Sequence, residues 1–295
     1  TSEISSSAGG TSGRKSSSRL MLQIAYGALF WPQLILGAVL GALLSSFGII
    51  LLLRNMSFYS ITLAQITTFG FAAALFFRLP AEIFTPVFTS VIMLLSVYLT
   101  AKTSYRTESV LAILFVSFGA MSQALLAFGG NVQNHILSAY FGDILTSQVR
   151  LDSPVIFITL GCAAVFFISF RMIYFYSFDR EEYILQNYSK GIYIIFLLLL
   201  STVLSFSVNL LGSFYSAAQL LIPGFLALSL FQEIHAVILF SVLFSIFSTA
   251  AGFTLSLTGI KTGQETVFLP TSSTIIIVLS IVCGMGIILK KIIKK

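Results

Sequence analysis

The sequence predicts an all-α protein, a polytopic transmembrane helical bundle with about eight or nine spans. Three observations predict it. Of 295 residues, 57% are hydrophobic and only 9% are charged, and the mean hydropathy is +1.00. A soluble domain carries about 25% charged residues, so most of this surface must face a medium other than water, and a bilayer is that medium. The apolar residues also fall into runs of about 20, the length a helix needs to cross the hydrocarbon core. Finally, Lys and Arg gather between the runs, at alternate ends.

The chain begins with TSEISSSAGGTSGRKSSSR, a Ser/Gly-rich stretch that cannot bury a core. Residues 1–20 read as a disordered tail or a cloning remnant, without the order of a signal peptide. Candidate spans follow at 34–53, 58–77, 83–101, 110–128, 154–170, 192–211, 212–230, 236–258 and 271–289. Most contain Gly, Ser, Thr or Ala on several turns, which lets helices approach closely. Pro86 and Pro223 are expected to mark breaks or ends, buried in protein or lining a cavity.

Basic residues set the orientation. Arg54, Lys102, Arg106, Arg171, Arg180, Lys190, Lys290, Lys291, Lys294 and Lys295 can all be cytoplasmic at once. Connections 129–153 and 259–270 then face outward with Arg150 and Lys261, and the C-terminus is inside. Arg14, Lys15 and Arg19 also favour the inside, although one crossing by 34–53 places them outside. An interfacial or re-entrant segment over 21–33, with Trp31 and Pro32, would reconcile the two.

Several functions are argued against by what the sequence lacks. No GxxxxGK[ST] phosphate loop, HExxH or GxSxG occurs. The net charge of +6 is not concentrated in a basic, aromatic-interleaved patch, which argues against nucleic acid. Cys162 and Cys283 stand apart in apolar runs and read as core residues. His135 and His235 each stand alone near a span end, and Asp143, in YFGDIL, is best read as a helix cap. The second run is different: Ser57, Ser60, Thr62, Gln65, Thr67 and Thr68 are polar, and positions 61 and 65 share a helical face. Such a face either makes interhelical hydrogen bonds or lines a passage.

Four ordered stretches carry a resemblance: GALLSSFGIILLLRNMSFYSITLAQITTFGFA; ESVLAILFVSFGAMSQALL; YFGDILT followed by SFDREEY; and LLGSFYSAAQLLIPGFLAL followed by LPTSSTIIIVLS. Together they resemble the permease subunits of bacterial ABC importers for zinc, manganese or iron, from about residue 34 to 289. The third is similar to that family's Phe–Gly–Asp/Asn–Ile–Leu loop. The fourth is similar to its run Val–Gly–Xaa–Leu–Leu–Val–Xaa–Ala–Leu–Leu–Ile–Ile–Pro and its Leu–Pro–Ser–Gly–Xaa–Thr signature.

The resemblance implies a permease domain over 21–295 in the bacterial cytoplasmic (inner) membrane. It would import a divalent metal ion by alternating access, with no catalysis and no cofactor of its own. ATP would be bound by cytoplasmic ATPase subunits, and metal delivered by an extracytoplasmic binding protein. A second permease subunit, identical or different, would complete the passage. The segment after Pro223 and Gly224, through Gln232 and Glu233, falls where the family couples to its ATPase. Ser60, Ile61, Thr62 and Gln65 become candidates for the translocation path.

The chain also departs from the family. The helix after the Arg–Met step typically carries Asp and, four residues later, His, a sensible transient site for zinc or manganese. Here Ile61 and Gln65 hold those positions, so no metal ligand is assignable, and Gln232 and Glu233 stand where basic residues are common. A different partner permease carrying the Asp and His is the favoured explanation. The alternatives are a cargo that is not a bare divalent ion, or a passage using Ser60, Thr62 and Gln65. Two other classes compete with the permease reading: an ion-coupled secondary carrier and a non-transporting membrane scaffold. The carrier is disfavoured because no span has a central acid.

Overall fold

The computed structural model describes residues 31–102, 107–127, 140, 142, 154–178, 189–258, 260–262, 265–267 and 269–293. Among these, nine long helices follow one another: α1 Trp31–Leu53, α2 Ser57–Phe76, α3 Ala81–Lys102, α4 Thr107–Leu126, α5 Pro154–Phe178, α6 Ser189–Leu211, α7 Ser213–Leu230, α8 Ile234–Thr258 and α9 Thr271–Ile293. Each candidate span coincides with one of them. Eight are long and apolar enough to cross a membrane, and α5 contributes the shorter apolar stretch Ile158–Phe170. A small antiparallel hairpin, β1 Ile260–Thr262 with β2 Glu265–Val267, lies between α8 and α9. The architecture is therefore an all-helical multi-pass membrane bundle. Large apolar side chains cover its outside, including Ile113 at 67% exposure and Ile168 at 81%. Such a surface is stable only against lipid or another membrane subunit.

The connections show why the chain turns where it does. After α1, Asn55 adopts φ 55°, and the Asn55 and Met56 amides donate to Leu52 and Leu51 carbonyls at 3.0 and 2.8 Å. That is a Schellman closure with asparagine as the left-handed residue. The end of α2 repeats it with Arg78 at φ 55° and Leu79 donating to Ala74 at 2.8 Å, and Pro80 follows. Between α6 and α7 a single residue, Gly212 at φ 90°, makes the turn.

Two expectations need correcting. Pro86 and Pro223 break nothing: both lie inside continuous helices, α3 and α7. Pro86 is the sixth residue of α3, so the one bond it removes, to the Glu82 carbonyl, falls in the first turns of the helix, where Glu82 is exposed. Pro223 is buried, and Gly224 beside it packs on Ile49 and Leu52 of α1, so neighbouring helices hold α7 together across the lost bond. In addition, Arg78 joins Lys261 at the outward end, a basic residue in the α2–α3 connection.

The two ends differ in charge. Lys290 reaches the Ser229 carbonyl, and the Arg54 guanidinium lies 4.3 Å from the Tyr193 ring centroid, which joins the ends of α9 and α7 and the α1–α2 turn with α6. At the opposite end, Ser272 donates to the Leu211 carbonyl at 2.9 Å. Arg54, Lys102, Lys190, Lys290 and Lys291 all belong to the first end. The positive-inside rule makes it cytoplasmic. Trp31–Gln33 form the first turn of α1, with Pro32 where a missing N–H costs least. The rest of the 21–33 segment, the basic residues 14–19, Arg106, His135, Asp143, Arg150 and Arg180 lie outside the described residues.

Packing divides the bundle into two groups. α1 packs chiefly on α7 and α8, which α9 joins from its own side, while α2, α3 and α4 pack together. A Cβ on Gly48 would overlap the Leu220 carbonyl, so α1 and α7 touch backbone to backbone. Phe69, Phe88 and Phe118 join α2, α3 and α4, with ring centroids 5.4 to 6.0 Å apart. α6 lies between the groups, bonded to α3 through Ser90–Ser201 and to α7 through Ser207–Ser216, both at 2.7 Å.

Candidate functional site

α2 sits among α3, α4, α6 and α7, and the four path candidates separate on it. Ser60 is fully buried and donates to its own helix, to the Ser57 carbonyl at 2.6 Å. Thr62 is also fully buried and donates to the Phe58 carbonyl at 3.0 Å, with the Leu111 carbonyl of α4 at 3.4 Å. Both hydroxyls are thus spent on backbone acceptors. Ile61 is half-buried and shares its face with Gln65.

Gln65 takes part in a polar contact that sequence reasoning missed. The Tyr140 hydroxyl donates to Gln65 Oε1 at 3.2 Å, while Ser122 of α4, close to the same phenol, donates to the Phe118 carbonyl at 2.8 Å. Gly119, one turn before Ser122, leaves room for the amide: a Cβ there would lie 3.8 Å from Gln65 Oε1. Tyr140 belongs to the outward connection between α4 and α5. Burial pushes its phenol above the ordinary value, with the nearby Ser122 hydroxyl opposing, so it remains a neutral hydroxyl at physiological pH. Its backbone rests on the α6–α7 junction, where Ser213 Oγ donates to the Tyr140 carbonyl at 3.4 Å. Gly142, at φ 52°, fits there because a Cβ would overlap the Leu211 carbonyl.

A second polar cluster, also missed, locks α1, α7 and α8. Tyr215 donates to the Gly37 carbonyl at 2.8 Å. Gln219 Nε2 donates to Tyr215 Oη at 3.3 Å and to Thr249 Oγ1 at 2.9 Å, while Ser245 donates to Gln219 Oε1 at 2.7 Å. Thr249 passes its own proton to the Ser245 carbonyl at 2.8 Å. The four side chains are fully buried, and every donor among them has an acceptor, so the network is closed. Gly41 permits it, since a Cβ would stand 2.8 Å from Ser245 Oγ and 2.9 Å from Tyr215 Oη. The readable signal was the spacing of Tyr215 and Gln219, four apart in an apolar run like 61 and 65. Within the family's quoted run, both occupy leucine positions.

The coupling candidates divide as well. Pro223 and Gly224 are buried in the middle of α7, whereas Gln232 and Glu233 are exposed in the three-residue turn 231–233 at the cytoplasmic end. α7 continues to Leu230 and α8 begins at Ile234, so the connection is shorter than the 224–235 segment expected. His235 is exposed in the first turn of α8. Among the described residues, no three or more His, Cys, Asp or Glu side chains gather in one place. Cys283 is a core residue and Cys162 packs against that core, as expected. The chemistry that Gln65 of α2 and Tyr140 of the α4–α5 connection bring together is that of a neutral amide and a phenol. They donate and accept hydrogen bonds but supply no anionic or imidazole ligand.

Comparison with known proteins places this geometry. The profile of the ABC 3 transport family matches residues 27–290. The chain is 23% identical over 238 residues to the high-affinity zinc uptake system membrane protein ZnuB of Haemophilus influenzae, covering 77% of this chain and 88% of that protein. Its fold is similar to a chain of PsaBC from Streptococcus pneumoniae in complex with Fab, with TM-score 0.68 and 19% identity over 86% of this chain and 89% of that one. It is also similar to a chain of an ABC transporter assigned to the metal-chelate type, in an inward-facing conformation. There the TM-score is 0.70 and identity 15%, over 87% of this chain and 85% of that one.

Proposed function

From the premise that the chain belongs to the ABC 3 transport family, we propose that it is the permease subunit of an ABC importer for a divalent metal ion: zinc, manganese or iron. The family match across residues 27–290, nearly the whole helical bundle, carries this reading. The relative named for zinc uptake supports the choice of cargo. The chain sits in the bacterial inner membrane with its basic end inside. Cytoplasmic ATPase subunits bind and hydrolyse ATP, and an extracytoplasmic protein delivers the metal.

Transport proceeds by alternating access. The ATPase engages the cytoplasmic turn at Gln232 and Glu233, and α7, with Pro223 and Gly224 packed on α1, transmits the movement. The face of α2 bearing Ile61 and Gln65, backed by Ser60 and Thr62, borders the passage. Affinity for cargo must differ between the outward and inward states, and nucleotide and binding protein supply that difference. With Ile61 and Gln65 in place of an Asp–His pair, a second, different permease supplies the ligands, and this chain contributes a ligand-poor half. Dispensing with an intramembrane carboxylate also avoids a penalty of about 2.5–3.5 kcal/mol.

Co-expression with the neighbouring transporter genes, followed by reconstitution in proteoliposomes, tests both parts. Metal-loaded binding protein should stimulate ATP hydrolysis and drive metal into the lumen. ATP hydrolysis indifferent to metal and binding protein defeats the importer reading. Recovery of this chain as the sole permease in the purified complex defeats the heterodimer.

A further inference from the structure

We propose that Tyr140 is the latch of an outward-side gate, joining the two helix groups through Gln65 and opening when they part. The proposal rests on the permease reading and adds to it a residue that moves. Its basis is that Tyr140 touches both groups, its backbone at the outward α6–α7 junction and its hydroxyl at Gln65, halfway along α2.

The first group is rigid. The closed network of Tyr215, Gln219, Ser245 and Thr249 fixes α1 to α7 and α8. Backbone contact at Gly48 adds to this, and Gly252 of α8 lies against Ile275 of α9. The second group is held by the Phe69–Phe88–Phe118 cluster across α2, α3 and α4. Tyr140 has its backbone on the first: Ser213 donates to its carbonyl, its ring centroid lies 6.2 Å from that of Phe214, and Gly142 is wedged on Leu211. Its hydroxyl is on the second, donating to Gln65 of α2.

A movement that separates the groups on the outward side must therefore break the Tyr140–Gln65 bond, while bonds inside each group survive. The bond suits that use. It joins two neutral groups, so breaking it strands no buried charge, and both partners can turn to water or cargo. Gln65 stands one turn outward of Ile61, so the closed latch covers the face of α2 on which Ile61 lies.

Thiol accessibility in the assembled transporter tests this. With Cys162 and Cys283 replaced by alanine, Ile61→Cys reports access when a charged, membrane-impermeant thiosulfonate is applied from outside. Tyr140→Phe keeps the ring and removes the hydroxyl, and should raise the labelling rate about two- to tenfold, the population shift equivalent to one neutral hydrogen bond. Gln65→Leu should do the same, and the double variant should exceed neither, because both remove one bond. Rates unchanged in both single variants, or gains that multiply in the double, overturn the latch. If Tyr140→Phe assembles poorly, Gln65→Leu carries the test from the other side. The labelling needs no metal transport, so failure of the importer reading shows separately, in the proteoliposome assay.

Discussion

Replacing Gln219 by leucine tests whether the α1–α7–α8 network is closed as described. Leucine restores the residue type of the family's run and roughly conserves volume, so the effect isolates hydrogen bonding. Three partners lose the amide. Tyr215 and Thr249 keep acceptors for their own protons, the Gly37 and Ser245 carbonyls, and lose only an accepted bond each. Between membrane helices such a bond averages about 0.6 kcal/mol. Ser245 loses more, because its hydroxyl has given its proton to Gln219 Oε1. Orphaning a buried donor costs about 1–3 kcal/mol. Gln219→Leu should therefore destabilise the fold by about 2–4 kcal/mol on these two magnitudes. Adding Ser245→Ala removes the orphan, so the double variant should regain about 1–2 kcal/mol relative to Gln219→Leu. Alone, Ser245→Ala should destabilise, since it leaves Gln219 Oε1 unpaired. Reversible unfolding of the purified protein in bicelles, titrated with a denaturing detergent, reads all four members of the cycle. Independent losses that simply add would refute the reasoning, because they would mean that Ser245 has another acceptor.

Other expectations follow from single contacts. Gly48→Ala should abolish correct folding, because the added Cβ overlaps the Leu220 carbonyl and only separation of α1 from α7 can relieve it; a normal monodisperse yield in size-exclusion chromatography would contradict this. Arg78→Gly should stabilise by about 1 kcal/mol, since a non-glycine residue now bears the left-handed conformation that closes α2; an unchanged unfolding midpoint would argue against strain there. Tyr193→Leu removes the ring under Arg54 and the hydroxyl donated to Met56 sulfur at 3.7 Å. It should cost about 1 kcal/mol, little of which is recovered by leucine's apolar volume.

The fold was legible because the bilayer imposes a simple rule. A span must be long and apolar, so each run marked in the sequence returned as a helix. The charge rule likewise placed Arg54, Lys190 and Lys290 at one end. Proline was the weak guide. Pro86 and Pro223 break isolated helices in water, but in α3 and α7 the surrounding helices supply the packing that holds the axis. The packing of α1 on α7 and α8 could not be read, since nearly uniform apolar surfaces give no stripe that says which neighbour a helix prefers.

The candidate site was half legible for a related reason. A polar residue in an apolar run announces that it needs a partner, but not where that partner lies. Ser60 and Thr62 found theirs within a turn of their own helix, so their polarity says little about a passage. Gln65 could not satisfy its longer side chain locally and took Tyr140, 75 positions away. Tyr215 and Gln219 repeat the four-residue spacing of positions 61 and 65, yet their partners on α1 and α8 enclose them completely. The same signal thus marks a lock in α7 and a latch in α2. What separates them is how many bonds close around the amide: Gln219 has three side-chain partners on two helices and cannot move without breaking all of them. Among the described residues, Gln65 has one side-chain hydrogen-bond partner, Tyr140. Mobility at this site is set by the number of partners, which depends on tertiary neighbours and is absent from any one stretch of sequence.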